Sequence, residues 1–317
     1  MRETADQGRP GVRRDIEFRS GGDIVRGWLY TPDEGEGPFP TVVMAGGWCY
    51  VKEIVQPHYA DMFADHGIAA VLFDYRNFGD SDGERRQHID PHMQIEDYRN
   101  AISFAETLDE VDEKRIGSWG LSYSGGHSLI LAAIDSRVKV AVSQIPVIDG
   151  YLNMRLANGT VHFRRLEAAL LEARRRLFTT GEDTMVPHFT RDAESEISAW
   201  PNADGYELFE GFRRTVAPNY SLDATAESID LLMQYDVRPF AKRIVDTPTL
   251  VIVAENDDVT LWDEAMVAYQ SIPTSAKEFV IIDKSDHLAL YSNQTLLERA
   301  AAAATRWFVE RLVPLGR

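Results

Sequence analysis

Short runs rich in Val and Ile alternate with longer stretches of helical period through most of this chain, and that rhythm constrains the fold more than any other feature. Residues 41–45, 68–73, 115–119 and 138–145 read as buried strands, each separated from the next by enough chain for a crossover helix. The helices are expected near 58–66, 93–107 and 123–134. Strands covered on both faces are apolar along their whole length, so a mainly parallel sheet flanked by helices satisfies the pattern. Ahead of it, 16–18 and 24–30 flank the turn Ser20-Gly21-Gly22-Asp23, which predicts an opening antiparallel hairpin.

After Pro146 the alternation stops for about ninety residues, then resumes with strands at 249–254 and 278–282 and a closing helix at 296–312. Residues 149–243 therefore read as an inserted helical lid that divides the α/β core into a first part, 1–148, and a second, 244–317. Inside the lid, Phe163, Leu166, Leu170, Ala173 and Leu177 recur at the period of a helix with one apolar stripe. Arg164, Arg165, Arg174 and Arg175 fall mostly off that stripe, as a solvated basic face. Residues 200–220 carry Trp200, Tyr206, Phe209, Phe212 and Tyr220 among Gly, Pro and Asn, a composition equally suited to lid core and to a pocket wall.

Composition narrows the functional classes. Thirty-three Lys and Arg against 50 Asp and Glu leave a net charge of −17, a field that repels phosphate backbones and anionic lipid. Nucleic acid and membrane surfaces are therefore not expected partners. A 44% hydrophobic content is enough to build a sizeable core. Cys49, the single cysteine, excludes an internal disulfide framework and a Cys-rich zinc site. The N-terminal MRETADQGRPGVRR is polar without an apolar h-region, and no later apolar run has bilayer length, so a soluble, cytoplasmic protein is expected.

The strand at 115–119 runs into Gly120-Leu121-Ser122-Tyr123-Ser124-Gly125-Gly126 and then into a helix. A serine pushed out of a strained strand-to-helix turn exposes its hydroxyl only if the residues two before and two after it are small; here they are Gly120 and Ser124. The helix that follows aims its N-terminal amides at the same point, favouring developing negative charge. Ser124 is a rival, but its neighbour at minus two is Ser122 and its register with the strand is worse. Downstream, the strand at 249–254 ends in Glu255-Asn256-Asp257-Asp258 and that at 278–282 in Asp283-Lys284-Ser285-Asp286-His287. Both are C-terminal strand ends, where open α/β sheets assemble their sites. The order Ser, acid, His is the one that the turn motif predicts. Asp257, Asp258 and Asp286 compete to orient His287. Asp286 is disfavoured because consecutive residues of an extended segment point to opposite sides, and Asp258 faces away if Asp257 faces the histidine.

Gly-Leu-Ser-Tyr-Ser-Gly at 120–125, Ala-Glu-Asn-Asp at 254–257 and Ser-Asp-His at 285–287 resemble the α/β-hydrolase superfamily, over residues 13–148 and 246–312. Asp74-Tyr75-Arg76-Asn77-Phe78-Gly79-Asp80-Ser81-Asp82-Gly83, with the Ser-Tyr pair, is similar to the branch of dipeptidyl-peptidase-like (S15-type) esterases and fungal polyketide-transferase-like hydrolases. Many members have His-Gly where this chain has Gly46-Gly47, and a Gly where Ala254 opens the acid motif. The resemblance implies an α/β-hydrolase fold, Ser122 as nucleophile, His287 as base and Asp257 as the acid orienting it. The expected reaction is attack of Ser122 on the ester, thioester or lactone carbonyl of a small-molecule substrate, with water resolving the acyl-enzyme and no cofactor or metal required.

An oxyanion hole needs two amides. One is that of Tyr123, after the nucleophile; the other comes from the loop after 41–45, where Gly46-Gly47 permits close backbone approach and Trp48 is the candidate. Trp200, Tyr206, Phe209 and Phe212 are the substrate-binding candidates. His127, Cys49 and the 74–83 loop read as packing, a small loop residue and turn structure. The same triad could serve acyl transfer, C–C bond hydrolysis or elimination. A non-catalytic ligand-binding protein is the alternative from another class, and homo-oligomerisation stays open.

Overall fold

The computed structural model describes residues 12–313, so most of the polar N-terminal segment lies outside the described residues. The chain opens with β1 (Val12–Ser20) and β2 (Asp23–Thr31), which pair antiparallel in the register of a tight hairpin around Gly21-Gly22. Strand and helix then alternate: β3 (Phe39–Ala45), α1 (Gln56–Ala64), β4 (Ala69–Phe73), α2 (Pro91–Ala105), β5 (Val111–Leu121), α3 (Tyr123–Ile134) and β6 (Val138–Gln144). The insertion follows, with α4 (Gly150–Thr180), β7 (Met185–Pro187), α5 (Ala203–Thr215), β8 (Asp223–Thr225), α6 (Ala226–Leu232) and α7 (Arg238–Ala241). The core closes with β9 (Thr249–Ala254), α8 (Trp262–Ser271), β10 (Lys277–Ile282), α9 (Ala289–Ser292) and α10 (Gln294–Leu312).

The main sheet has eight strands in the order β1-β2-β4-β3-β5-β6-β9-β10. Only the β1–β2 and β2–β4 pairs are antiparallel; the others are parallel, as runs of βαβ crossovers require. Successive residues of β5 reach the two helical layers. A Cβ on Gly117 would meet the Phe308 ring of α10 at 2.8 Å, while the next residue, Ser118, hydrogen-bonds Ser128 of α3 at 2.8 Å. Helix α1 joins α10 on the first face through the Phe63–Phe308 ring contact, and α2 lies with α3 on the other. Every residue of β4 and β9 is buried, which is why both read as continuous apolar runs.

The insertion between β6 and β9 is mostly helical, but β7 and β8 add a small antiparallel sheet to it. Its two ends are stitched together: Val237 N–H donates to Ile148 O at 2.9 Å and Gly150 N–H to Tyr235 O at 2.9 Å. Helix α4 starts on an Asp149 cap and is kinked at Gly159. Phe163, Leu166, Leu170 and Ala173 form its buried stripe, whereas Leu177 is only half-buried. Residues 200–220, which the composition left without a secondary structure, are largely α5, capped by Asn202. Tyr206, Phe209 and Phe212 recur every third residue along it. Gly205 and Gly211, poor helix formers, obscure that period in the sequence.

Candidate active site

Ser122 sits in the turn between β5 and α3 with φ 60° and ψ −116°, a left-handed-side conformation costing a non-glycine residue on the order of 1–3 kcal/mol. The surroundings hold it there. Ser122 N–H donates to Gln144 O at 2.9 Å, while its carbonyl accepts from Gly125 N–H at 2.9 Å and Val147 N–H at 3.2 Å. The turn is so tight that a Cβ on Gly120 would stand 2.0 Å from Ser124 O, so only glycine fits two residues before the serine. Ser124 itself is a lock. Its hydroxyl is fully buried, accepts from Leu121 N–H at 2.8 Å and lies 2.9 Å from Ala45 O, tying the turn to the end of β3.

His287 and Asp257 come from the loops after β10 and β9, the two parallel strands at one edge of the sheet. Nδ1 of His287 lies 2.9 and 3.1 Å from the Asp257 oxygens, and both side chains are almost wholly buried. Val259 N–H at 3.0 Å and Thr260 N–H at 2.7 Å donate to Asp257 Oδ1, and the Thr260 hydroxyl is 3.0 Å from Oδ2. Three donors besides the imidazole thus aim and hold one carboxylate. Asp258 is exposed, and Asp286 instead accepts from Ala289 N–H, at the start of α9, at 2.8 Å. Among the described residues His287 Nε2 has no hydrogen-bond partner, although it is buried. With Nδ1–H on the carboxylate, Nε2 is the lone pair left to take a proton.

Next to Ser122 the backbone comes close: a Cβ on Gly47 would lie 3.1 Å from Ser122 Cβ and 2.9 Å from Leu121 O. Trp48 follows it, with its ring edge-on to Tyr123 at 5.3 Å and to Trp200 of the insertion at 5.8 Å. The Tyr123 amide opens α3, where a helix leaves its first N–H groups without intrahelical acceptors. Aromatic rings of the core and the insertion form a roof beside this loop. Tyr50 stacks on Phe209 at 4.9 Å and meets Tyr291 at 5.6 Å, and His188 of the insertion packs on Trp200 and Phe209. Ser122 is only 5% and His287 1% exposed, so the site is closed beneath the insertion. Trp200 and Phe209 reach its roof, whereas Phe212 packs behind Phe209 and half-buried Tyr206 lies under the Arg191 guanidinium.

Sequence reasoning did not single out Tyr50, His188, Thr260 or Tyr291. Thr260 had a local signal, three residues past Asp257 in a turn, and Tyr291 another, one helical turn past His287. His188 had none, because only the folded insertion brings it to the roof. His127 lies beneath the serine turn with Nε2 3.0 Å from Gln94 Oε1 and Nδ1 2.9 Å from the Tyr235 hydroxyl; burial pushes its pKa down to about 3. Cys49 is buried beside Trp48, and burial pushes its thiol well up, away from the thiolate. In the 74–83 loop Asp74, Asp80 and neighbouring Glu53 gather three carboxylates, but the Lys52 ammonium already occupies their centre, 2.9 Å from Asp74 and 3.0 Å from Glu53. That cluster is a structural ion-pair knot in which one ammonium is shared by three carboxylates.

The sheet order, the crossover helices and the strand-to-helix serine turn define an α/β-hydrolase fold, and a family match and a similar thiohydrolase make the chain a hydrolase enzyme. It belongs to the X-Pro dipeptidyl-peptidase (S15) family, whose model matches residues 21–289. Thiohydrolase aneE of Aspergillus aculeatus is 31% identical over 277 residues, covering 86% of each chain. Polyketide transferase grgF of a Penicillium species is 29% identical over 87% of this chain and 90% of its own, and the solved α/β-hydrolase GrgF superposes with a TM-score of 0.80. DcsB, solved with its substrate analogue, superposes with a TM-score of 0.82 at 28% identity over 96% of this chain and all of its own. Among the described residues no helix is long and apolar enough to cross a membrane.

Proposed function

We propose that this enzyme is a serine hydrolase that cleaves the ester, thioester or lactone bond of a small molecule through an acyl-enzyme. Ser122 attacks the carbonyl carbon, His287 Nε2 takes its proton, and Asp257 holds the Nδ1–H tautomer and balances the imidazolium. The tetrahedral oxygen is met by the Tyr123 amide and by that of Trp48. The leaving group departs with the proton from His287, and water, activated by the same nitrogen, frees the acid. What supports this reading is a buried Asp257–His287 pair whose outer nitrogen is unpartnered, together with a serine in a strained strand-to-helix turn. The 31% identical thiohydrolase favours a thioester among the candidate bonds. Acyl transfer is the second reading, favoured by closure of the site against water and by the polyketide transferase among the relatives.

Wild type, Ser122→Ala, Asp257→Asn, Asp258→Asn and Asp286→Asn are assayed on matched esters, thioesters and lactones, with a fluorophosphonate probe read by peptide mapping. Ser122→Ala should lose on the order of 10³-fold or more in kcat and all labelling at that peptide. Asp257→Asn should lose orders of magnitude while staying folded, and the other two Asn variants should stay near wild type. Full turnover in Ser122→Ala, or collapse in Asp286→Asn with normal Asp257→Asn, would overturn the assignment. Water-insensitive product ratios in the presence of added alcohols or amines would favour transfer over hydrolysis.

A further inference from the structure

Tyr291 follows His287 by four residues, on the short α9, and its ring lies 5.6 Å from the imidazole at an interplanar angle of 37°. It is 4% exposed. Its hydroxyl has no hydrogen-bond partner among the described residues, and burial pushes its pKa up. Tyr30, Tyr75 and Tyr123 are also buried phenols without partners, but their described ring contacts do not include His287. An orphaned buried hydroxyl destabilises the fold, because its desolvation is not offset by a hydrogen bond. A Phe at this position would avoid that cost and keep the ring contacts to His287, Tyr50 and Phe209.

The ring contacts of Tyr291 identify what it meets. The described ring contacts of Trp48 are with Tyr123 and Trp200; those of Tyr291 are with His287, Tyr50 and Phe209. The two sets share no residue. The candidate oxyanion amides are backbone groups of Trp48 and Tyr123, whereas the histidine that returns its proton to the departing atom is in ring contact with Tyr291. We infer that Tyr291 is a further catalytic residue, whose hydroxyl donates a hydrogen bond to the leaving-group heteroatom. When the tetrahedral intermediate collapses, the bond between carbonyl carbon and leaving atom breaks and its electron pair goes to that atom. The atom takes the proton held on His287 Nε2, and Tyr291 keeps its own while its hydrogen bond stabilises the charge that builds before transfer is complete. Burial holds the phenol protonated throughout.

This inference rests on the serine-hydrolase reading, and its test separates the two. Tyr291→Phe and wild type are compared in kcat/KM, which reports acylation, on one acyl group carried by leaving groups from p-nitrophenol through phenol to an alkyl alcohol. Thermal stability and fluorophosphonate labelling are measured on both proteins. The loss in Tyr291→Phe should grow with leaving-group basicity, from about 3-fold at p-nitrophenol to about 30-fold or more at the alkyl alcohol. The melting temperature should be unchanged or higher, as expected when an orphaned hydroxyl is removed. A loss of the same factor across the series, or a fall in melting temperature with a flat series, overturns the leaving-group role. No labelling of Ser122 in wild type overturns the parent reading and this one together; labelling with a flat series overturns this one alone.

Discussion

Ser122 and Ser124 stand two residues apart with the same functional group, and the folded environment gives them opposite work. The hydroxyl of Ser124 is spent on Ala45 and Leu121, whereas Ser122 is turned out of the strand at positive φ. His127 and His287 form a second such contrast. His127 has both ring nitrogens engaged inside the fold and a pKa pushed down to about 3 by burial, so it is a neutral strut under the turn. An unfolded histidine takes a proton near pH 6.5 that folded His127 refuses until about pH 3. Its contribution to stability is therefore complete above pH 6.5 and is lost as pH falls through that window. Burial lowers the pKa of His188 too, and with the same sign. Denaturant titrations should show wild type losing about 1 kcal/mol more than His127→Gln between pH 7 and pH 5.5. Equal losses would mean that His127 is not held neutral.

At the scale of elements, α3 occupies the residues that periodicity assigned to it, and the sheet strands differ from expectation only at their ends. The reason is physical: a buried parallel strand and its covering helix each need an unbroken apolar pattern, which a sequence displays openly. Helix α5 was not legible, because two glycines interrupt it and its buried surface is a narrow row of aromatics. That row has separable roles. Phe209 is wholly buried among Tyr50, His188 and Tyr291, so Phe209→Ala should cost about 3–5 kcal/mol in denaturant unfolding. Tyr206→Ala, losing a half-buried ring under Arg191, should cost under about 1 kcal/mol. Trp200 touches Trp48, so Trp200→Ala should shift the ratio of kcat/KM between short and long acyl groups by about tenfold. An unchanged ranking in that variant would make the roof a packing layer and not a specificity lid.

Across the whole molecule, a net charge of −17 surrounds a closed, largely aromatic site. Anionic substrates therefore approach against a repulsive field, while neutral ones do not feel it. Raising ionic strength from about 0.02 to 0.3 M shortens the screening length from roughly 20 to 6 Å. The kcat/KM for an anionic coenzyme A thioester should then rise several-fold, with that of a neutral thioester of the same acyl group nearly constant. A fall with salt would reveal a local cationic entrance that the total charge hides. By itself, the sequence determined the α/β class, the opening hairpin and the strand-to-helix turn at Ser122, because each follows from local periodicity or from glycines within a few residues. Tertiary structure decided the rest. Asp257 meets His287 across 30 residues of chain only because β9 and β10 lie side by side, and the three donors on that carboxylate come from a turn whose shape no periodicity records. His188, Trp200 and Phe209 reach the roof only when the insertion folds back over the ends of the strands, since contacts between distant segments depend on sheet order and packing, not on the pattern within either segment.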